Sequence, residues 1–145
     1  TNQPSSQTDC DYGLWFHNWL GKPGAVNTYF YPTTGGVRTL TVNPMAVRKG
    51  QDVWHRNPAR GWTAVLSNDG AGLAVEIPYK YLNLLYSWYG VGSPAATLEW
   101  RFNRIRVPAG GRLEAEFSLV PFRGLDRVDG VVGAAVGAID AAVGP

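Results

Sequence analysis

The segment Ala95–Phe122, AATLEWRFNRIRVPAGGRLEAEFSLVPF, decides the fold. Large apolar and polar residues alternate from Leu98 to Phe102, which is the period-two pattern of a strand with one buried face. The turn formers of Pro108–Gly111 interrupt the pattern, and it resumes from Leu113 to Leu119. The stretch therefore predicts two antiparallel strands joined by a turn, each with one side toward water.

The rest of the chain repeats this pattern. Short alternating or β-branched runs are separated by turn signals, which 18 Gly and 10 Pro supply among 145 residues. The clearest runs are Thr28–Tyr31, Val37–Val42, Trp62–Leu66 and Leu73–Ile77. The last two flank Ser67–Gly70, a strong turn sequence, and predict a hairpin. We therefore expect one all-β domain, an antiparallel β-sandwich of roughly 8–10 short strands.

The two ends of the chain differ from this central region. Residues 1–12 are polar and predict a flexible leader, and residues 13–123 hold the sandwich. Residues 124–145 form a tail that is rich in Gly, Ala and Val and has no aromatic residue. The apolar spacing of the tail fits a helical stripe, but its glycines disfavour a helix. A small-residue strand packed against a partner is nearly as good an alternative.

Charge and composition exclude several classes of partner. The net charge of +2 is low and the arginines are scattered, so the sequence does not indicate a nucleic-acid partner. No apolar run reaches the ~20 residues of a membrane span. The histidines have no neighbouring Cys, and no glycine motif for phosphates follows a strand, so we expect neither a metal nor a cofactor. Thr1 in place of methionine is typical of a processed or excised chain and favours a secreted or cell-surface protein.

Three strongly aromatic segments carry candidate binding residues. Gly13–Leu20 (GLWFHNWL) predicts a strand buried on both faces, Asn43–Arg60 a long loop, and Tyr79–Tyr89 a strand or an irregular segment. Most of the six Trp are expected in the core. Trp54 and Trp88, which lie in or beside loops and turns, offer flat apolar faces with an N–H donor, which suits sugar rings.

Glu99 is the first candidate for chemistry, because it stands between two large apolar residues on the first predicted strand. It is either an exposed side chain at the rim or a poised carboxylate, and the alternation favours the rim. Arg101, on the same side of the strand, is a further candidate for substrate binding. His17 and His55 are either structural histidines or groups for general acid catalysis and sugar hydroxyls.

Several short motifs occur along the chain. They are Leu98–Arg101 (LEWR), Val107–Gly111 (VPAGG), Val120–Phe122 (VPF) and, upstream, Trp15–Trp19 (WFHNW) with Pro32 and Gly35–Val37. Together these motifs resemble the galactose-mutarotase-like β-supersandwich superfamily, over residues 13–132. The resemblance implies a sandwich fold, with Glu99 as the base that takes the anomeric proton of a sugar and His17 as the nearest candidate for the acid. It also implies that a partner chain or the remainder of a longer protein supplies a sheet's worth of missing strands.

Three functions are compatible with these observations. The first is a carbohydrate-binding or carbohydrate-processing sandwich, with an aromatic groove around Trp54, Trp88 and Glu99. The second is a structural, self-assembling extracellular subunit of a filament or surface layer, in which copies of the chain bury one another's edges and aromatic surfaces. The third, which follows from the resemblance, is an aldose-epimerase-like enzyme with Glu99 as base and His17 as acid. The residues alone leave open whether the chain is an enzyme.

Overall fold

The computed structural model describes residues 9–133 and 135–137, and nearly all of their regular structure is β-strand. Within these residues the strands are β1 (Cys10–Tyr12), β2 (Trp15–Phe16), β3 (Asn27–Thr33), β4 (Gly36–Val42), β5 (Gln51–His55), β6 (Trp62–Ser67), β7 (Ala71–Glu76), β8 (Leu82–Tyr89), β9 (Glu99–Phe102), β10 (Ile105–Val107), β11 (Ser118–Arg123), β12 (Gly130–Val132) and β13 (Ala135–Gly137). A 3-10 turn, Tyr79–Tyr81, precedes β8. The described residues include no helix with the length and apolar character to cross a membrane.

Two antiparallel sheets form the body of the molecule. One has five strands in the order β11-β7-β6-β3-β4, and the other has four in the order β2-β9-β8-β5. Two further pairs, β1 with β10 and β12 with β13, are short ribbons. The prediction of an all-β antiparallel sandwich is confirmed, with nine strands in the two main sheets.

The two main sheets pack face to face through one hydrophobic core. The five-stranded sheet contributes Tyr29 and Tyr31, and the four-stranded sheet contributes Leu85 and Trp100, all buried. Phe16 of β2 stacks on Trp100 with ring centroids 5.5 Å apart. Period-two alternation delivers these side chains to the core and sends their neighbours to the outer faces.

Two buried tyrosine hydroxyls join the sheets. The Tyr29 hydroxyl accepts a hydrogen bond from the Ala96 N–H (2.9 Å) and donates to a backbone carbonyl (3.0 Å). Tyr31 hydrogen-bonds Ser87, whose hydroxyl donates to the Thr97 carbonyl at 2.7 Å. Since a buried hydroxyl without a partner is destabilising, these bonds favour one stacking of the sheets over others.

The tail covers the outer face of the five-stranded sheet. Val128 and Val131 are buried against Phe30 and Trp62 in a second hydrophobic cluster. The β12–β13 hairpin lies in the same tail, and it agrees with the small-residue strand that stood as the alternative to a helix. The tail therefore packs on its own sheet in the part of it that the structure describes.

The ends of the chain are described in part. Residues 1–8, 134 and 138–145 lie outside the described residues, and so do those parts of the predicted leader and tail. The end of the predicted leader forms β1, whose three residues pair with β10. Arg106 of β10 also forms an ion pair with Asp9 at 3.2 Å, which holds this segment to the sandwich.

The two strands predicted within Ala95–Phe122 do not pair with each other. β9 lies between β2 and β8, whereas β11 pairs with β7 in the other sheet. The intervening residues 111–117, largely predicted as strand, have no regular secondary structure. They cross the edge of the core, where Phe117 contacts Trp100 with ring centroids 5.6 Å apart. A segment that packs along the core without forming a strand can also alternate apolar and polar residues, so its sequence pattern resembles that of a strand.

Two aromatic segments also differ from expectation. In Gly13–Leu20, predicted to be buried on both faces, every second residue from Trp15 to Trp19 is exposed, while Phe16 packs on the core. In Asn43–Arg60, predicted as a loop, Gln51–His55 forms β5 at the edge of the four-stranded sheet. An edge strand has one neighbouring strand and carries more polar residues, so its alternation is weak.

Candidate functional site

The outer face of the four-stranded sheet carries aromatic side chains around one carboxylate. Trp54 of β5 stands opposite Tyr86 of β8, and Tyr86 in turn stands opposite Glu99 of β9. Because side chains alternate along each strand, residues two positions apart extend the same surface. We call this surface the aromatic face, and its residues are Trp15, His17, Trp19, Asp52, Trp54, Tyr86, Trp88, Glu99 and Arg101.

The rings of the aromatic face form two groups. Trp54 and Tyr86 have centroids 4.5 Å apart, and Trp15 contacts both, at 6.1 Å from Trp54 and 6.0 Å from Tyr86. Trp19 and Trp88 form the second group, with centroids 5.7 Å apart and nearly perpendicular planes. Edge-to-face contacts of this kind hold each ring in place while leaving part of its surface free.

Exposure separates these four indoles from the other two of the chain. Trp15 and Trp19 are 44% and 46% exposed, and Trp54 and Trp88 are each 39% exposed. The remaining two tryptophans lie in the hydrophobic clusters. Contiguous exposed apolar patches on soluble proteins mark interaction sites. Four exposed indoles on one face therefore make this surface the candidate site.

Glu99 is buried although it points toward the outer face, with 4% of its surface exposed. The Trp15 Nε1–H donates a 2.8 Å hydrogen bond to its Oε2, and the His17 Nε2 lies 3.5 Å from its Oε1. The His17 side chain is 60% exposed, so an imidazole connects the carboxylate to solvent. Glu99 is thus not the exposed rim residue that the alternation favoured, because the surrounding side chains cover it.

Charged groups accompany the first group of rings. The Trp54 Nε1–H donates to the Asp52 carboxylate at 2.6 Å, and the Arg56 guanidinium lies 4.9 Å from the Trp54 ring. The Arg101 guanidinium lies 5.4 Å from the ring of Trp15. Both indoles therefore bind a carboxylate through the N–H and a guanidinium through the ring.

The hydroxyl of Tyr86 adds a polar group between these indoles. Partial burial raises its pKa, and the carboxylates of Asp52 and Glu99 raise the pKa further. The hydroxyl is therefore protonated at neutral pH and can both donate and accept a hydrogen bond.

The structure brings five of the six predicted site residues to one surface. They come from β5, β8, β9 and the segment after β2, which are far apart along the chain. These residues are His17, Trp54, Trp88, Glu99 and Arg101.

His55, the sixth, lies on the opposite side of β5 and faces the core. Its ring stacks on Tyr31 with centroids 4.2 Å apart. Burial, and to a smaller extent the positive charge of Arg38, lowers the pKa of His55. Adjacent residues of a strand point to opposite faces, so Trp54 and His55 serve different surfaces.

Sequence reasoning missed Trp15, Trp19 and Asp52 as residues of this surface. The spacing of Trp15, His17 and Trp19 at every second position was the available signal, because it places three side chains on one side of a strand. The apolar residues between them obscured it and led to the expectation of a strand buried on both faces. Asp52 carried no signal, since it lay in a predicted loop.

The arrangement suits an organic ligand with flat apolar faces and polar substituents. Among residues 9–133 and 135–137, no group of three or more His, Cys, Asp or Glu side chains could hold a metal ion. The aromatic face instead offers indole rings for stacking, with Glu99, His17 and Tyr86 as hydrogen-bonding groups. A carboxylate beside an imidazole can also take a proton from one atom of a ligand and return one to another.

Comparisons with known proteins bear on the fold. No family model matches the chain, and no curated protein matches it. The solved structure of the Slr1438 protein from Synechocystis sp. PCC 6803 has 14% sequence identity and a TM-score of 0.57, with 83% of this chain and 47% of that chain covered. A TPR-domain containing protein from Parabacteroides distasonis ATCC 8503 has 10% identity and a TM-score of 0.54, with 97% and 29% covered. These similarities show the fold alone, and the chain spans less than half of either protein.

Proposed function

We propose that the chain is a carbohydrate-binding β-sandwich domain that holds a saccharide on the aromatic face. The observation that carries the proposal is the set of four exposed indoles around a buried carboxylate. Sugar rings present flat C–H surfaces and many hydroxyls, so they need apolar platforms and a few fixed polar groups. The aromatic face has both.

The physical argument is one of complementary surfaces. Stacking a sugar on the indoles removes apolar area from water, which is favourable by roughly 25 cal/mol per Å². The hydroxyls must then exchange water for protein partners, since an unpaired polar group is costly. Glu99 accepts hydrogen bonds, and Tyr86 and His17 can donate or accept them. The rigid sheet holds all of these groups in place before the ligand arrives.

The indole platforms are tested on a glycan array with the Trp54→Ala and Trp88→Ala variants. Each substitution removes one stacking surface while leaving the backbone of β5 or β8 in place, so we expect a loss of roughly tenfold or more in affinity. The matched control is Tyr12→Ala, because Tyr12 is also 39% exposed but lies on β1, which is not a strand of the four-stranded sheet. An array on which the unmodified chain binds no glycan rejects the proposal.

Self-association is the competing outcome of the same experiment. Exposed Trp and Tyr are also enriched at protein interfaces. If the aromatic face joins copies of the chain, light scattering will show a mass that rises with protein concentration, and Trp88→Ala will lower it. A monomer at all concentrations together with glycan binding supports the carbohydrate proposal.

A second candidate function, aldose-epimerase-like catalysis, rests on the 3.5 Å approach of His17 to Glu99. In such a reaction the Glu99 carboxylate takes the proton of the anomeric hydroxyl, and protonated His17 gives one to the ring oxygen. The bond between the anomeric carbon and the ring oxygen then breaks, and the open aldehyde forms. Closure on the other face of the carbonyl reverses both proton transfers and yields the other anomer.

Glu99→Gln tests this candidate, because the amide keeps an oxygen that can accept the Trp15 hydrogen bond but no longer takes a proton. We expect the rate of anomer exchange, measured by NMR exchange spectroscopy on glucose and galactose, to fall by at least about 100-fold toward the rate in buffer. The control is Glu114→Gln, an exposed carboxylate outside the aromatic face. Exchange by the unmodified chain no faster than buffer rejects catalysis and leaves the binding proposal standing.

A further inference from the structure

We infer that the saccharide bound on the aromatic face carries an anionic substituent, a phosphate or a carboxylate, which Arg56 and Arg101 hold at one end of that face. This inference rests on the proposed carbohydrate function and specifies its ligand class. The shared chemistry is an oxyanion with two or three acceptor oxygens, for which the planar guanidinium fork is well suited.

The two arginines lie against the same pair of touching indoles. Arg101 of β9 stands opposite Trp15 of β2, and its guanidinium carbon is 5.4 Å from the Trp15 ring centroid. Arg56 follows β5, and its guanidinium carbon is 4.9 Å from the Trp54 ring centroid. The two indole centroids are 6.1 Å apart. Both cations therefore border one platform.

Neither arginine has an anionic partner within the described ranges 9–133 and 135–137. Other cations do pair there: Lys22 with Asp69, Arg106 with Asp9 and Arg112 with Glu114. A guanidinium stacked on a ring uses its flat face and keeps its N–H edges free, and it has five such donors. The positive charges of this platform are thus available to an external oxyanion.

The carboxylates of the same surface do not neutralise these arginines through ion pairs. Glu99 accepts a hydrogen bond from the Trp15 N–H, and Asp52 accepts one from the Trp54 N–H. Each indole therefore contacts a carboxylate through the N–H at the edge of its ring and a guanidinium through the face of its ring. This separation leaves a cationic end beside Arg56 and Arg101 and an acidic centre at Glu99.

The spacing of the strands allows both arginines to reach one group. β5 and β9 flank β8 in the four-stranded sheet, so they are two strand spacings, or about 10 Å, apart. Two long side chains that rise from strands at this distance can converge on one phosphate or carboxylate. A sugar stacked on the indoles would then place its substituent at the arginines and its hydroxyls near Glu99.

The experiment compares matched neutral and anionic sugars. The probes are glucose, glucose 6-phosphate and glucuronate, the three galactose counterparts, and an array of neutral and acidic oligosaccharides, with affinities from titration calorimetry or NMR titration. We expect the anionic member of at least one set to bind roughly tenfold or more tightly than its neutral member at low salt. This preference will shrink as ionic strength rises.

Arg56→Gln and Arg101→Gln identify the groups responsible. Each variant should lose several-fold in affinity for the anionic sugar, and the double variant should bind it no more tightly than the neutral one. In each variant, affinity for the neutral sugar should fall by a smaller factor than affinity for the anionic sugar. Arg123→Gln, an exposed arginine on β11 of the other sheet, is the matched control and should keep the preference.

Each remaining outcome overturns the inference in a different way. Equal affinity for neutral and anionic sugars, or a preference that survives in the double variant, rejects the anionic subsite and leaves the carbohydrate proposal intact. Binding of no saccharide at all rejects both. Where the preference is found, comparison of the 6-phosphate with the uronate shows which oxyanion the site takes.

Discussion

At Glu99 a carboxylate is held in a nearly water-free position by groups from another part of the chain. Desolvation of a carboxylate is costly, and hydrogen bonds to an ionised group contribute roughly 1.5–3 kcal/mol each. The Trp15 N–H supplies such a bond at 2.8 Å. The stability of the aromatic face therefore depends on an indole nitrogen as well as on the packing of indole rings.

Trp15→Phe separates these two contributions, because it removes the N–H and keeps an aromatic ring. We expect the free energy of unfolding to fall by about 1–3 kcal/mol, since Glu99 loses a donor and remains buried. Urea titration followed by circular dichroism measures the change. Trp19→Phe is the matched control, because Trp19 is similarly exposed and its N–H donates no hydrogen bond within residues 9–133 and 135–137. Equal losses in the two variants contradict the assignment.

At the scale of elements, the pairing of β7 with β11 depends on a glycine opposite an aromatic ring. Gly72 of β7 is the cross-strand partner of Phe122 on β11. The Phe122 ring lies directly over Gly72, so a Cβ at this position would overlap it. An aromatic ring that covers a strand glycine replaces the side-chain packing that the glycine lacks.

Gly72→Ala is expected to lower the free energy of unfolding by about 1–3 kcal/mol, because the new methyl group displaces the Phe122 ring. A double-mutant cycle with Phe122→Ala provides the measurement, by urea unfolding of all four proteins. In the Phe122→Ala background the alanine should cost nothing or stabilise, since the overlap is gone. Gly130→Ala is the control, because a Cβ there meets no atom within 4 Å. A cycle without coupling would show that the ring moves aside freely.

The sequence predicted strands and turns correctly where they depend on neighbouring residues. The β6–β7 hairpin followed from two predicted strands on either side of Ser67–Gly70, and the structure has this hairpin. Strand partners were not predictable where pairing is distant: β9 and β11 are close in sequence but belong to different sheets. A turn motif at Pro108–Gly111 reports a local change of direction and carries no information about which sheet the chain enters next.

For the candidate site, individual residues were predictable from the sequence, but their arrangement on one surface was not. Residues such as Glu99, Trp54 and Trp88 could be selected by type, because a carboxylate between large apolar residues and a tryptophan near a turn are recognisable in the sequence. Their assembly on one surface depends on strand order, which joins β5 to β8 and β8 to β9. The position of His55 depended on strand assignment, because one residue along a strand changes the face.

At the scale of the whole molecule, two buried tyrosines connect the two sheets. Their titration makes the stability of the protein depend on pH. Burial raises the pKa of Tyr29 from 10.0 to about 12, with its hydrogen bond to Ala96 acting in the opposite direction. Burial also raises the pKa of Tyr31. Both hydroxyls are therefore neutral in the folded protein under conditions where the unfolded chain ionises.

Stability should consequently fall in alkaline solution. Between neutral pH and about pH 10 both states carry the tyrosine protons, so these two groups do not lower the stability. Above pH 10 the unfolded chain loses the Tyr29 proton before the folded protein does, which favours unfolding until the folded group titrates near pH 12. Urea titrations between about pH 8 and 11.5 measure the slope. Tyr29→Phe should make the slope smaller, and the slope that remains belongs in part to Tyr31. A slope unchanged by Tyr29→Phe contradicts the assignment.

The division of the tryptophans into four at the surface and two in the interior has an optical consequence. We expect a neutral quencher such as acrylamide to reach the surface set. Trp62 and Trp100 are buried, so we expect them to be shielded from the quencher and to emit at shorter wavelength. A molecule that settles on the aromatic face will block the quencher and shift the emission of the surface set, while the interior pair serves as an internal reference. The unlabelled protein thus contains its own fluorescent reporter, with which any collection of candidate compounds can be screened.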